Sequence, residues 1–161
     1  MQKVRWGIMS TAKIGRDKVI PALQQSPYVE VVAIASRHLE EAQKVAHSLK
    51  IPKAFGSYEA LLDDDEIDSV YIPLPNNMHV PWAIKALQKG KHVLCEKPIA
   101  LTAAEAAQLL AVSRQYPQLK IMEAFMYRFH PQWVKAKKLV TEGAIGTLKT
   151  VQAFSFGTLP M

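Results

Sequence analysis

Cysteine is all but missing from this chain: Cys95 stands alone among 161 residues. An internal disulfide and a cysteine-built metal site are thereby excluded. No apolar run approaches the roughly 20 residues that a membrane-spanning helix needs. Met1 leads directly into a strand pattern, without a basic, apolar, cleavable leader. These absences predict a soluble, cytoplasmic protein with no membrane partner. Lysine and arginine outnumber aspartate and glutamate by 20 to 14, but they are scattered rather than gathered on one helix or interleaved with aromatics. The surplus allows an anionic ligand and argues against a nucleic-acid surface. His38, His47 and His92 share no spacing that would converge on a metal, and Asp63, Asp64, Asp65 and Glu66 read as a solvated helix end.

Short apolar runs alternate with helical patterns along the chain. Strands are predicted at Val4 to Met9, Val29 to Ala35, Lys53 to Phe55, Ser69 to Ile72, His92 to Cys95 and Lys120 to Glu123. Between them, Ile14, Val19, Ala22 and Leu23 recur at helical spacing, Leu39 to Leu49 is amphipathic, and short or longer helices follow at Tyr58 to Leu62 and about Met78 to Lys89. Gly90 caps the last of these. Thr102 with Glu105 forms a capping box for the next. Strands apolar on both faces, separated by helices, predict an α/β fold with a doubly wound parallel sheet of the Rossmann kind. A helix from Pro131 to about Glu142, a break at Gly143 and Gly146, and a strand from Leu148 to Phe156 then leave the alternation. The boundary is expected near residue 125, with 126–161 a linker helix and the first strand of a truncated α+β substrate domain. An unpaired apolar strand favours association, so a homo-oligomer is expected.

The turn after the first strand reads Ser10, Thr11, Ala12, Lys13, Ile14, Gly15. A dinucleotide turn carries three glycines so that backbone amides and a helix N-terminus can meet a pyrophosphate. Only the third is present here. Ser10 and Ala12 are small enough for a close approach, although neither tolerates positive φ as glycine does. The end of the second strand adds an independent signal. NAD sites place a carboxylate there to accept from the adenosine ribose, whereas this chain has Ser36, Arg37 and His38. A hydroxyl and a guanidinium suit a 2′-phosphate, so NADP(H) is expected as the preferred cofactor, with NAD(H) possible.

At the end of the fifth strand stand Cys95, Glu96, Lys97 and Pro98. A lysine at the carboxyl end of a parallel strand lies where open α/β sheets bind ligands, and the following proline restricts its backbone. With the Ser10 to Gly15 turn, the Ser36–Arg37 pair and the Pro73-Leu74-Pro75-Asn76 loop, the chain resembles the glucose-fructose oxidoreductase and inositol dehydrogenase (Gfo/Idh/MocA) family over essentially all of its length. Trp6 and Gly7, Lys91 to Pro98 and Met122 to Pro131 look most like the branch with sugar dehydrogenases and dihydrodiol dehydrogenase.

The resemblance implies an NADP-dependent oxidoreductase that moves hydride between nicotinamide and a sugar, polyol or related hydroxyl or carbonyl compound. It implies that Lys97 is catalytic and also beside the cofactor, that Glu96 contacts the nicotinamide ribose, and that the Lys97–Pro98 bond is cis. The loop at Pro73, Leu74 and Asn76 lines the cofactor cleft in that family, and His79 opens the next helix near it. Arg128, in the Tyr127 to His130 stretch, is placed against substrate or cofactor, with interdomain packing as the other reading. The family's proton-transfer partner, a histidine or tyrosine after an aspartate, lies beyond Met161. The expectation is therefore a piece of a longer enzyme, inactive by itself. The alternative is a non-catalytic NAD(P)-binding sensor or partner-binding module, which has no need of a cation at the Lys97 position.

Overall fold

A computed structural model of the protein describes residues 2–154. The chain divides into two compact units, Met1–Ala124 and Phe125–Met161. The first holds a sheet of six parallel strands, β1 (Val4–Met9), β2 (Val29–Ala35), β3 (Lys53–Phe55), β4 (Ser69–Ile72), β5 (His92–Cys95) and β6 (Ile121–Glu123). Their order is β3-β2-β1-β4-β5-β6, the doubly wound Rossmann arrangement. Chain direction reverses its winding between β1 and β4, and a crevice opens beyond the carboxyl ends of those two strands.

Alternation along each strand sends neighbouring side chains to opposite faces. Ile8, Ile34 and Tyr71 face one core with Ile20, Val45 and Ala46, from helices α1 (Ile20–Gln24) and α2 (Leu39–Leu49). Met9, Ala33, Ala35, Val70 and Ile72 face the other with Leu61, Trp82, Ala83 and Leu109, from α3 (Tyr58–Leu62), α4 (His79–Gln88) and α5 (Ala103–Ser113). Gly7 sits where α3 comes closest: a Cβ there would stand 2.9 Å from Leu61 Cδ2 and 3.0 Å from Ile67 Cδ1.

The first helical segment departs from the simple period. Its residues Gly15–Val19 wind as a π turn closed by an Ile20 N–H to Gly15 carbonyl bond, before α1 begins with Pro21 in its first turn. Proline has no N–H for a normal i−4 bond, and the wider turn absorbs the mismatch. Strand β6 starts one residue later than its apolar pattern, because the Lys120 N–H donates to His92 Nδ1 at 2.9 Å. Glu105 caps α5 from the expected place, but its carboxylate accepts from Leu101 N–H at 2.8 Å instead of from Thr102. Thr102 Oγ1 accepts from Glu105 N–H.

Asp63, Asp64 and Glu66 of the acidic run take part in ion pairs. Lys53 pairs with Asp64 at 2.7 Å and with Glu66, and Lys89 with Asp63 at 2.6 Å. Arg5 grips Asp68 at 2.7 Å and also donates to the Asp65 carbonyl. Hydrogen bonds from Arg5 hold the Asp68 carboxyl below its ordinary range. Buried Lys91 donates to the Asp64 and Ile67 carbonyls.

In the second unit, a 3-10 turn at Met126–Phe129 leads into α6 (Pro131–Thr141). His130 caps it by accepting from Gln132 N–H at 3.2 Å, and Gly143 and Gly146 follow at φ 74° and 69°. The expected strand from Leu148 to Phe156 is corrected for its described part: residues 148–154 form none. A lone strand has no ladder to satisfy its backbone. Residues 155 and 156 lie outside the described residues. Among those described, no helix is long and apolar enough to cross a membrane.

Two helix ends make a natural comparison. Helix α4 closes with Gly90 at φ 74°, Gly90 N–H to Leu87 and Lys91 N–H to Ala86, the Schellman arrangement. Helix α2 closes with the matching Ile51 N–H to Ala46 bond, but the left-handed position belongs to Lys50 at φ 55°. A side chain there is strained where glycine is not, so Lys50→Gly is expected to raise stability by about 0.5–1 kcal/mol in urea unfolding. A lower midpoint would contradict that reading.

Candidate active site

Three strand ends converge on one cleft of about 250 Å³ in the first unit. From β1 come Ser10, Thr11 and Ala12, from β2 come Ser36 and Arg37, and after β4 come Pro73, Leu74 and Pro75. Ser10 takes the first-glycine position and adopts φ 126°, against the expectation that a serine would avoid this region. Its hydroxyl explains how the backbone is held: Oγ donates to the Pro73 carbonyl at 3.2 Å and accepts from Ala12 N–H at 3.0 Å. The turn is thereby tied to the loop facing it. Helical residues begin at Lys13, so the first-turn amides, Lys13 and Ile14 included, have no partner within the helix. The side chains of Lys13 and Ile14 are exposed.

At the β2 end, Ser36 is buried while Arg37 is exposed. Ser36 Oγ donates to Glu41 at 3.0 Å, a residue of α2 that sequence reading left unassigned. Tyr58, also unassigned, lies against Trp82 edge to face, with ring centroids 5.1 Å apart. Burial pushes its phenol up, Arg37 acting against the shift and Glu41 with it. Arg37, Tyr58, Met78 and Trp82 line an adjoining recess. Spacing offers one retrospective signal: Glu41 and Tyr58 each lie in the first turn of a helix that follows a sheet strand.

The turn after β5 is braced on three sides. Tyr71 hydroxyl donates to Glu96 Oε1 at 2.6 Å, and Glu96 Oε2 accepts the Lys97 N–H at 3.3 Å. Burial first, then that bond, raises the Tyr71 phenol far above its usual range, which keeps it a donor. The Lys97–Pro98 peptide is cis. Beyond it, Ile99 N–H donates to Glu123 Oε1 at 2.8 Å, so the end of β6 supplies a brace that no local motif announces. Lys97 itself is exposed. Cys95 is fully buried, its thiol pushed up to about 12 by burial, with Glu96 and Glu123 adding to the effect. It is a packing residue, not a nucleophile.

His79 lies inside the fold. Its ring is fully buried with Nδ1 2.7 Å from the Pro98 carbonyl and Nε2 2.8 Å from the Leu74 carbonyl. Each nitrogen faces a backbone carbonyl, and the one that carries the proton donates to its partner. The ring joins the Leu74 loop to the Lys97 turn. Asn76 is exposed at the start of a 3-10 turn, Asn76–Met78. Arg128 is an exposed residue of the second unit.

The arrangement suits a dinucleotide. Small residues and first-turn amides would receive a pyrophosphate, the β2 end an adenosine, and Lys97 a reacting oxygen.

Comparison with known proteins agrees with this geometry. The Gfo/Idh/MocA profile, described as an oxidoreductase family with an NAD-binding Rossmann fold, matches residues 4–124. A D-xylose 1-dehydrogenase (NADP(+)) from Haloferax volcanii is 48% identical over 94% of this chain and 46% of its own length. A crystal structure of a 3-ketoreductase from Actinomadura kijaniata, in complex with TDP-benzene and NADP, superposes with a TM-score of 0.82 at 38% identity, over 88% of this chain and 44% of that one. A scyllo-inositol dehydrogenase from Lactobacillus casei, with NAD(H) and scyllo-inositol bound, gives 0.83 at 28% identity over 90% of this chain and 43% of that one. The chain thus spans less than half the length of these relatives.

The unusual Ser10 backbone yields a test. Ser10→Ala keeps the positive φ and loses both side-chain bonds, whereas Ser10→Gly loses the bonds and relieves the φ. The glycine variant is expected to be about 1 kcal/mol more stable than the alanine variant in urea unfolding. Equal stabilities would show that the turn carries no conformational cost.

Proposed function

The chain belongs to the Gfo/Idh/MocA oxidoreductase family, and we propose that it is the cofactor-binding portion of an NADP-dependent enzyme acting on a sugar, polyol or related hydroxyl or carbonyl compound. Residues 1–125 are its NAD(P)-binding domain, and 126–161 are the linker helix and the beginning of a substrate domain. The observation that carries this reading is the Lys97 turn, held by Glu96, Glu123 and His79 at the ligand end of the sheet. A sensor would not need that cation. The relatives support a sugar-like substrate and a nicotinamide cofactor through the xylose dehydrogenase and the NADP-bound ketoreductase. A homo-oligomer is part of the same proposal.

The nicotinamide would supply or accept a hydride at the substrate carbon. Around it, the Ser10–Ala12 turn and first-turn amides would hold the pyrophosphate, Ser36 and Arg37 the adenosine 2′-phosphate, and Glu96 the second ribose. Lys97 Nζ would donate a hydrogen bond to the substrate oxygen. That oxygen gains negative charge as a carbonyl is reduced, so the ammonium favours the transition state over the ground state. The loop at Pro73 and Leu74 would close the other wall and exclude water.

Two measurements test the assignment. Arg37→Asp is expected to weaken NADPH binding about 10- to 100-fold, read by nicotinamide fluorescence, because it replaces a charge-assisted donor by a like charge. An unchanged dissociation constant would remove the NADP assignment. In the complete protein, Lys97→Ala is expected to lower kcat about 100- to 1000-fold with little change in cofactor affinity. Unaltered kcat would remove Lys97 from the chemistry, whereas a complete wild-type protein that binds nucleotide without turning over any hydroxyl or carbonyl substrate would return the chain to the sensor reading.

A further inference from the structure

We infer that Glu41 sets how strongly the adenosine pocket prefers NADP(H), by opposing a 2′-phosphate and offering an acceptor to the free 2′-hydroxyl of NAD(H). This rests on the reading of Ser36 and Arg37 as the adenosine end of the site. The carboxylate expected at the strand end of an NAD site is missing from the β2 terminus, yet one reaches the same cleft from the first turn of α2. Glu41 lines the cleft with Ser36, Arg37 and Tyr58, and its Oε2 accepts from Ser36 Oγ at 3.0 Å.

Ser36 is fully engaged by that bond. A hydroxyl has one hydrogen to give, and here it goes to Glu41, while the oxygen accepts from His38 N–H at 3.4 Å. A 2′-phosphate can draw on the Ser36 hydrogen only after Glu41 releases it, and the carboxylate then faces the phosphate as a like charge. A 2′-hydroxyl meets no such opposition and can donate to the carboxylate. Arg37 pulls the other way, favouring phosphate.

Both charges line the same cleft as Tyr58, whose phenol burial pushes up, with Arg37 acting against the shift and Glu41 with it. The next carboxylate along the wall, Glu59, is paired with Lys85 at 3.1 Å and stands out of this balance. The pocket therefore holds one group suited to each cofactor, and their competition tunes the choice.

Glu41→Gln isolates the charge. Glutamine keeps an oxygen that can accept from Ser36 and removes the negative charge, at an exposed helical position that tolerates it. Dissociation constants for NADPH and NADH are measured by nicotinamide fluorescence on wild type, Glu41→Gln and Glu41→Ala at low and high salt. The NADH-to-NADPH ratio of dissociation constants is expected to rise about tenfold in both variants, with the gain shrinking in high salt. A purely structural role for Glu41 would weaken both nucleotides together and leave the ratio at its wild-type value, which overturns the inference while leaving the proposed function in place. Failure of the wild type to bind either nucleotide would overturn the proposed function, and this inference with it.

Discussion

The ligand end of this sheet depends on one buried imidazole. His79 lies at the start of α4, and its two ring nitrogens meet the carbonyls of Leu74 and Pro98. One carbonyl belongs to the loop that walls the cleft at the strand ends, the other to the turn that carries Lys97. Neither segment belongs to a regular element whose ladder would fix it, and loops at a sheet end are ordinarily the adaptable part of a fold. Through His79 each loop uses the other as its anchor. Removing the ring would leave the carbonyl that its N–H serves without that partner, an unfavourable outcome in a buried setting.

The remaining braces follow the same logic of linking neighbours in space that are distant in sequence. Ser10 holds the turn after β1 to Pro73, Tyr71 holds Glu96 across adjacent strands, and Glu123 reaches back to Ile99. Each is a side chain bonded to a partner on a different loop or strand. The result is a set of strand ends tied to one another by side-chain bonds to backbone and to neighbouring side chains. Charge pairing is concentrated at the opposite end, where Lys53 pairs with Asp64 and Glu66, Lys89 with Asp63, and Arg5 with Asp68. Arg37 and Lys97 remain exposed at the ligand end.

Most of the architecture was legible because parallel strands buried on both faces write themselves as apolar runs, as at Val29–Ala35 and Ser69–Ile72. The errors have local causes. Pro21 widened a helix start that periodicity alone reads as regular, and His92 intercepted the amide that would have lengthened β6. In the site, Ser10, Ser36, Arg37 and Lys97 could be picked out because the turn and strand ends carry a chemical pattern. Glu41, Tyr58 and Glu123 could not. Their roles arise from tertiary proximity, and a glutamate in the first turn of a helix looks like ordinary dipole complementation. His79 shows the converse: a histidine next to a cleft loop suggests a ligand contact, and sequence alone does not show that its ring is buried between the Leu74 and Pro98 carbonyls.

Cys95 has a practical side as well. It is buried in the sheet, with its thiol pushed up to about 12, so it carries little thiolate at neutral pH and is shielded from bulky electrophiles. The native sequence can therefore serve directly as the background for site-specific conjugation. A cysteine placed on any exposed helix face would react with a maleimide dye as the one accessible thiol among the described residues, with no need to rebuild the centre of β5.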